Sequence, residues 1–217
     1  MQQIADGIWR WTARHPEWHP GEWGAEVGCY ALAGGGRTVL IDPLAPEGDA
    51  GFWERLDGIV AGGVTCLITI GYHLRSAEAV CARYSGTTVW GHANVGKRMR
   101  DRGPFRELSP ASTPDGVRAY AIGKPRRAEL PVLVESHAAL AFGDAVVGTD
   151  GGLRMWCNDP VDERRRRFYA ERFAPTLAPI LRDSFDHVLV THGPPAVGGG
   201  HAALAAAAAA PPWYHRG

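Results

Sequence analysis

The stretch Leu67 to Val80, LITIGYHLRSAEAV, sets a phenol, an imidazole and a guanidinium close together, in Tyr72, His73 and Arg75. They fall between an apolar run, Cys66 to Ile70, which reads as a strand, and a helix over 76–84. Ser76 is placed to cap that helix, because a serine oxygen accepts the free N–H groups of a first turn. Each side chain of the junction has a chemistry and a plainer use. The Tyr72 phenol can donate to an oxyanion, or it packs as aromatics at strand ends do. His73 is either a ligand to a metal ion or a polar loop residue. The rigid fork of Arg75 suits a carboxylate or another anion, unless it points to solvent from the first helical turn.

Other routes to chemistry are poorly supported. No G-x-S-x-G elbow is present, and Ser109, Ser136 and Ser184 have no recognisable base partner. Gly198-Gly199-Gly200 lacks the Lys-Ser/Thr of a phosphate loop and reads as a linker. His92 follows a strand and reads as a cap or surface residue, while His15, His19, His187, His201 and His215 fall in loops, in tails or beside an aspartate. Glu135 and His137 flank a turn. The cysteines Cys29, Cys66, Cys81 and Cys157 form no CxxC pair. Three of them sit in apolar runs, as reduced core thiols do. Acids and bases balance at 23 each, which removes the basic excess expected of a nucleic-acid or membrane-surface protein. The N-terminal MQQIADGIWRW shows no basic region followed by an apolar run, and no stretch approaches the ~20 apolar residues of a membrane span. The expectation is a cytoplasmic protein of one domain over 1–217, with 201–217 as final helix and tail.

The elements that must position the junction follow from periodicity and turn residues. Ile4 to Thr12 reads as a first strand with Trp9 and Trp11 on one side. His15 to Trp23 is a Pro-, Gly- and Trp-rich loop whose indoles can wall a cleft mouth. Val27 to Ala33 and Arg37 to Ile41 form a hairpin across three glycines. Asp49 caps a helix reaching Val60, and Thr87 to Gly91 is another strand. Residues 97–114 read as a loop with a short helical piece. Val117 to Ile122, Leu130 to Glu135 and Ala139 to Val147 are three strands in succession. Asp159-Pro160 opens a helix whose Arg164–Arg167 run marks a solvated face. His187 to Val190 is the last strand. Meanders of strands with helices outside them predict two face-to-face sheets covered by helices.

This order resembles the metallo-β-lactamase superfamily over most of the chain, through three local signatures. Thr38-Val39-Leu40-Ile41-Asp42 is similar to the family's strand ending in an acid. Ala141-Phe142-Gly143-Asp144 is similar to the Gly-Asp whose carboxylate bridges two metals. Val188-Leu189-Val190-Thr191-His192-Gly193 is similar to the strand ending in the last histidine ligand. The resemblance implies an α+β, four-layer αββα sandwich with two mostly antiparallel sheets flanked by helices.

In that family the junction carries Thr-His-x-His-x-Asp-His, which gathers two metal ions. Here Thr69 is kept, but the ligand positions read Ile70, Tyr72, Leu74 and Arg75, and residues 122–129 contain no histidine. By resemblance only Asp144 and His192 remain of the ligand set, too few for a zinc site, which takes three protein ligands or more. The resemblance therefore implies a protein of hydrolase descent with a degenerate site and no favoured cofactor, binding a small molecule, with Arg75 suited to an anionic one. The alternative is a single zinc or iron ion held by His73, Asp144 and His192, a set of the facial-triad type, in a hydrolase of an ester, lactone or thioester. Without a dication Asp144 needs another partner, and Arg75 is expected to reach into the site and pair with it or with a bound anion. Tyr72 joins Arg75 as a ligand-binding candidate, and joins Asp144, His192 and His73 as a catalytic one.

Overall fold

The computed structural model describes residues 1–19 and 24–215. The part of the expected indole-rich loop that includes Trp23 lies outside the described residues. Among the described residues, seven strands form the first sheet in sequence order. They are β1 (Gln2–Ala5), β2 (Ile8–Arg14), β3 (Glu26–Gly34), β4 (Arg37–Ile41), β5 (Gly63–Ile68), β6 (Thr88–Gly91) and β7 (Phe105–Glu107). Pairing is antiparallel up to β4 and parallel beyond it. Parallel neighbours need a crossover. Helices α1 (Phe52–Asp57), α2 (Ala77–Arg83) and α3 (Ala93–Met99) provide it.

The second sheet contains β8 (Val117–Ala119), β9 (Val132–Val134) and β10 (Ala139–Phe142). A separate ribbon, β11 (Val146–Thr149) with β12 (Gly152–Met155), follows. The sheet is completed by β13 (His187–Val190) and β14 (Ala196–Val197), in the order β14-β13-β10-β9-β8. Helices α4 (Glu163–Phe168) and α5 (Gly200–Ala209) cover its outer side with the turns between them.

Three apolar layers hold four layers of backbone together, as an αββα sandwich requires. Leu40, Cys66, Leu56, Val80 and Val95 join the first sheet to α1–α3. Val39, Ile41, Leu67, Val132 and Leu189 fill the space between the sheets. Val188, Val190, Phe142, Phe173 and Leu204 form the third layer. The period-2 alternation of Val39, Leu40 and Ile41 thus feeds two cores at once, which is why these strands read as continuous apolar runs. Among the described residues no helix is long and apolar enough to cross a membrane.

Several local expectations are corrected. The first strand is a hairpin, broken at Asp6-Gly7 where Gly7 has φ 67°. Ala139 to Val147 divides into β10 and β11 around the Gly143-Asp144 turn, and the polar stretch after Lys97 contains β7. Asp49 does not cap α1; its carboxylate pairs with Arg55. The later helix begins after Asp162, whose side chain accepts from Arg165 N–H, instead of at Asp159-Pro160. Ser76 precedes α2 without capping it, because its Oγ accepts the Ala45 N–H at 2.9 Å and ties down the chain after Asp42.

Candidate functional site

The site starts from Asp42, the first residue beyond β4. Its backbone is left-handed (φ 47°), so the strand direction breaks and the carboxylate turns inward. Buried there, it accepts the Thr69 N–H at 2.8 Å, the Thr69 hydroxyl and the Nδ1–H of His73 at 2.9 Å. Because a carboxylate only accepts, Nδ1 carries the His73 proton and Nε2 faces away from Asp42. His73 lies in a 3-10 turn, Gly71–Leu74, directly after β5. On an extended chain a shift of one residue reverses a side chain; on this turn it does not, and His73 is buried and faces the cleft.

Asp144 and His192 come from the second sheet. β10 and β13 run parallel with Phe142 opposite Val190, so each residue stands two positions beyond its strand on the same rim. Asp144 Oδ1 lies 3.5 Å from His73 Nε2 and 3.6 Å from His192 Nε2. The structure therefore brings His73, Asp144 and His192 together although they are far apart in sequence. Glu129, fully buried, accepts the N–H groups of Gly143 at 3.0 Å and Ala145 at 2.8 Å, and so brackets Asp144 from both sides. The turn after His192 is pinned by the Gly148 N–H on the His192 carbonyl at 2.9 Å and by Arg10 on the Gly193 carbonyl at 3.1 Å.

The charges sort themselves by environment. Burial pushes the Asp144 carboxyl up, but the His73 and His192 rings and the Arg126 and Arg75 guanidiniums outweigh it and hold it below the usual carboxylate range. Burial, reinforced by the negative charge of Asp144, raises Glu129 instead. Of this pair Asp144 carries the charge. Burial also pushes His192 down to about 4, against the pull of Asp144, so its ring is neutral at pH 7.

Arg75 does not do what the sequence suggests. Its backbone is in a strained positive-φ conformation (φ 40°, ψ −114°). Its Nη1 donates to the Asp42 carbonyl at 3.0 Å and approaches Cys29 Sγ at 3.9 Å. The expected ion pair with Asp144 is not formed, because the guanidinium is anchored on the Asp42 carbonyl and the rings nearest the Asp144 carboxylate are the two imidazoles. Arg75 acts on Asp144 only through space. Tyr72 is not packed either. It is 69 % exposed at the cleft mouth, with the Arg98 guanidinium 5.1 Å above its ring.

Around this cluster lies a cleft of about 370 Å³, walled in part by Trp18, Tyr72, Arg75 and Trp156. The Trp156 ring lies 5.7 Å from that of His192 and 4.9 Å from the Arg126 guanidinium. His15 and His215, to which the sequence assigns no chemistry, also line it. His92 accepts the Asn94 N–H and caps α3, and Glu135 and His137 sit at the far end of β10 from Asp144. The sequence marks Asp42 only as the acid that ends its strand, and Glu129 and Trp156 escape sequence reasoning as site residues. Asp42 and Trp156 directly follow strands, and Glu129 lies in the turn before β9.

The residues present do not fit a dinuclear metal centre. Ile70 is buried and apolar, Leu74 is apolar, Tyr72 faces outward and Arg75 is a cation. Among the described residues no group of three or more His, Cys, Asp or Glu is arranged to hold a metal ion. His73, Asp144 and His192 meet pairwise at one oxygen but do not form a closed cage.

No protein-family model matches the sequence, and no curated protein does. Solved structures do match. A metallo-β-lactamase from Erythrobacter litoralis is 15 % identical, with a TM-score of 0.61 over 96 % of this chain and 95 % of its own. One from Pontibacter korlensis is 14 % identical with a TM-score of 0.63, covering 96 % and 97 %. The flavodiiron core from Synechocystis sp. PCC6803 reaches a TM-score of 0.66 at 13 % identity, over 96 % of this chain and 59 % of that one. With the layer order, the paired sheets and the rim that gathers Asp144 and His192, these likenesses establish that the chain has the metallo-β-lactamase fold.

Proposed function

We propose that this chain is a protein of hydrolase descent whose dinuclear site has been taken apart, and whose cleft binds a small anionic organic ligand. The observation that carries this reading is the fate of the four ligand positions, Ile70, Tyr72, Leu74 and Arg75, none of which presents a zinc-binding atom. What remains is an acid–base cluster with a fixed geometry. Asp42 sets the tautomer of His73, so that Nε2 meets the ligand side. Asp144 stays ionised, His192 stays neutral, and Arg75 and Tyr72 add a cation and a phenol along the wall. Such a set can orient an anionic ligand and move a proton at an atom placed beside His73 Nε2.

Metal analysis of the purified protein tests the reading. The expected result is fewer than two equivalents of zinc per chain after dialysis; two retained equivalents would overturn it. The meeting of both Nε2 atoms at one Asp144 oxygen favours a second reading, a single zinc or iron ion on His73, Asp144 and His192 in a hydrolase of an ester, lactone or thioester. One equivalent that is retained by the wild type and lost in His73→Ala would favour it.

A further inference from the structure

A second, wider groove of about 910 Å³ adjoins the cleft and shares His15, Glu17, Tyr72 and Arg75 with it. Its far wall is the end of α3 and the residues after it, with Lys97, Arg98, Arg100 and Arg102. Together with Arg75 these cations share the groove lining, among the described residues, with the two carboxylates of Glu17 and Asp101, in a chain of zero net formal charge. A concave surface with such an imbalance concentrates anions.

The cations differ in how they are held. Arg98 donates to the Gly71 carbonyl at 2.8 Å and covers Tyr72, and Arg102 reaches Glu78 at 3.1 Å and the Met99 carbonyl at 3.2 Å. Both are preorganised. The side chains of Lys97 and Arg100 have no hydrogen bond or ion pair among the described residues. Arg75 stands at the boundary of cleft and groove, and its Nε and Nη2 are buried without a hydrogen-bond partner. Buried donors of this kind call for an acceptor. Arg100 repeats the strained backbone of Arg75, with φ 51° and ψ −129°. Such strain on a non-glycine residue persists only where the surroundings impose it, and it gathers at ligand clamps.

We propose that the groove binds the phosphate or pyrophosphate end of a small molecule whose other end enters the cleft beside His73, Asp144 and His192. This rests on the reading of the cleft as a ligand site and names the class of ligand. A carboxylate is satisfied by one guanidinium fork. A phosphate group offers oxygens in several directions, which suits cations contributed by two walls. Lys97 and Arg100 are the specificity-determining residues, and Arg75 joins the two ends.

Calorimetric titration with inorganic pyrophosphate at low ionic strength, without divalent cations, tests this. Wild type is expected to bind saturably, and Lys97→Ser/Arg100→Ser about tenfold more weakly, a change of about 1.4 kcal/mol. Both positions are exposed, and an unchanged melting temperature will show that the double variant folds. Absence of saturable binding, or undiminished binding by the double variant, would overturn the proposal. So would citrate binding more tightly than pyrophosphate, or a short single-stranded DNA binding where pyrophosphate does not. Two retained zinc equivalents would overturn the reading of the cleft and leave the pyrophosphate result standing, so the two failures are distinguishable.

Discussion

At the scale of single residues, the candidate site depends on a carboxylate buried behind the cleft. Asp42 satisfies the Thr69 N–H, the Thr69 hydroxyl and the His73 ring at once. Asp42→Ala strands all three donors in the core, and a loss of about 3 kcal/mol is expected from urea denaturation, the usual size when a buried hydrogen-bonded charge is removed. A loss below about 1 kcal/mol would show that water replaces the carboxylate. His192 makes a separate prediction. Its folded pKa of about 4 lies below its ordinary 6.5, so the unfolded chain takes up the proton first as the pH falls. The stability due to the neutral ring is therefore complete above about pH 6.5 and drains away toward pH 4. Glu129, raised by burial and by Asp144, slopes the other way, since its contribution declines as the pH rises. The clean measurement is thus the difference between wild type and His192→Gln. Wild type should lose about 2 to 3 kcal/mol relative to the variant between pH 7 and about 4.5. A flat difference would mean that the ring is solvated.

At the scale of elements, two turns present the chemistry. The Gly143–Ala145 turn is held by Glu129, and the turn after β13 is held against β11 by backbone contact so close that only glycine fits. A Cβ on Gly193, which has φ 77°, would stand 2.0 Å from the Gly148 carbonyl oxygen. Gly193→Ala should therefore cost more than about 2 kcal/mol, through clash and positive φ together. It should also broaden or shift the His192 ring resonances in NMR spectra; a stable variant with unchanged His192 signals would contradict this. The element pattern was largely readable in advance, and the departures have local causes. By position alone Ser76 reads as a helix cap, whereas its hydroxyl serves a loop 31 residues away. Helix α4 starts after Asp162 because its carboxylate, and not that of Asp159, accepts the first-turn N–H.

At the scale of the whole molecule, the two sheets must keep their rims aligned, since His73 comes from one sheet and Asp144 and His192 from the other. Tyr30 is the buried stitch between them. Its hydroxyl donates to the Val190 carbonyl at 2.7 Å and accepts the Val190 N–H at 3.2 Å. The Gly28 N–H adds a bond to the Thr191 carbonyl at 2.7 Å. Tyr30→Phe removes both contacts of the hydroxyl and is expected to lower stability by about 1 to 3 kcal/mol in a single unfolding transition. Two separate transitions would show that the sheets unfold independently.

The sequence by itself determined the strand meanders with helices outside them, because apolar period and glycine turns are local properties that survive without any partner, and its resemblance to the metallo-β-lactamase superfamily implied the four-layer sandwich. By its resemblance to the superfamily it also marked Asp144 and His192, the loss of imidazoles at residues 70, 72 and 75, and the loss of a carboxylate at residue 74. Tertiary structure alone decided where the remaining charges go. Whether Arg75 meets Asp144 or the Asp42 carbonyl depends on a backbone twist of φ 40° after a 3-10 turn, which no spacing rule encodes. That Asp42 orients His73 across 31 residues, and that Glu129 clasps the turn of Asp144, follow from strands paired and sheets stacked. Buried polar groups must find partners wherever packing puts them, so their pairing becomes visible only when the layers are assembled.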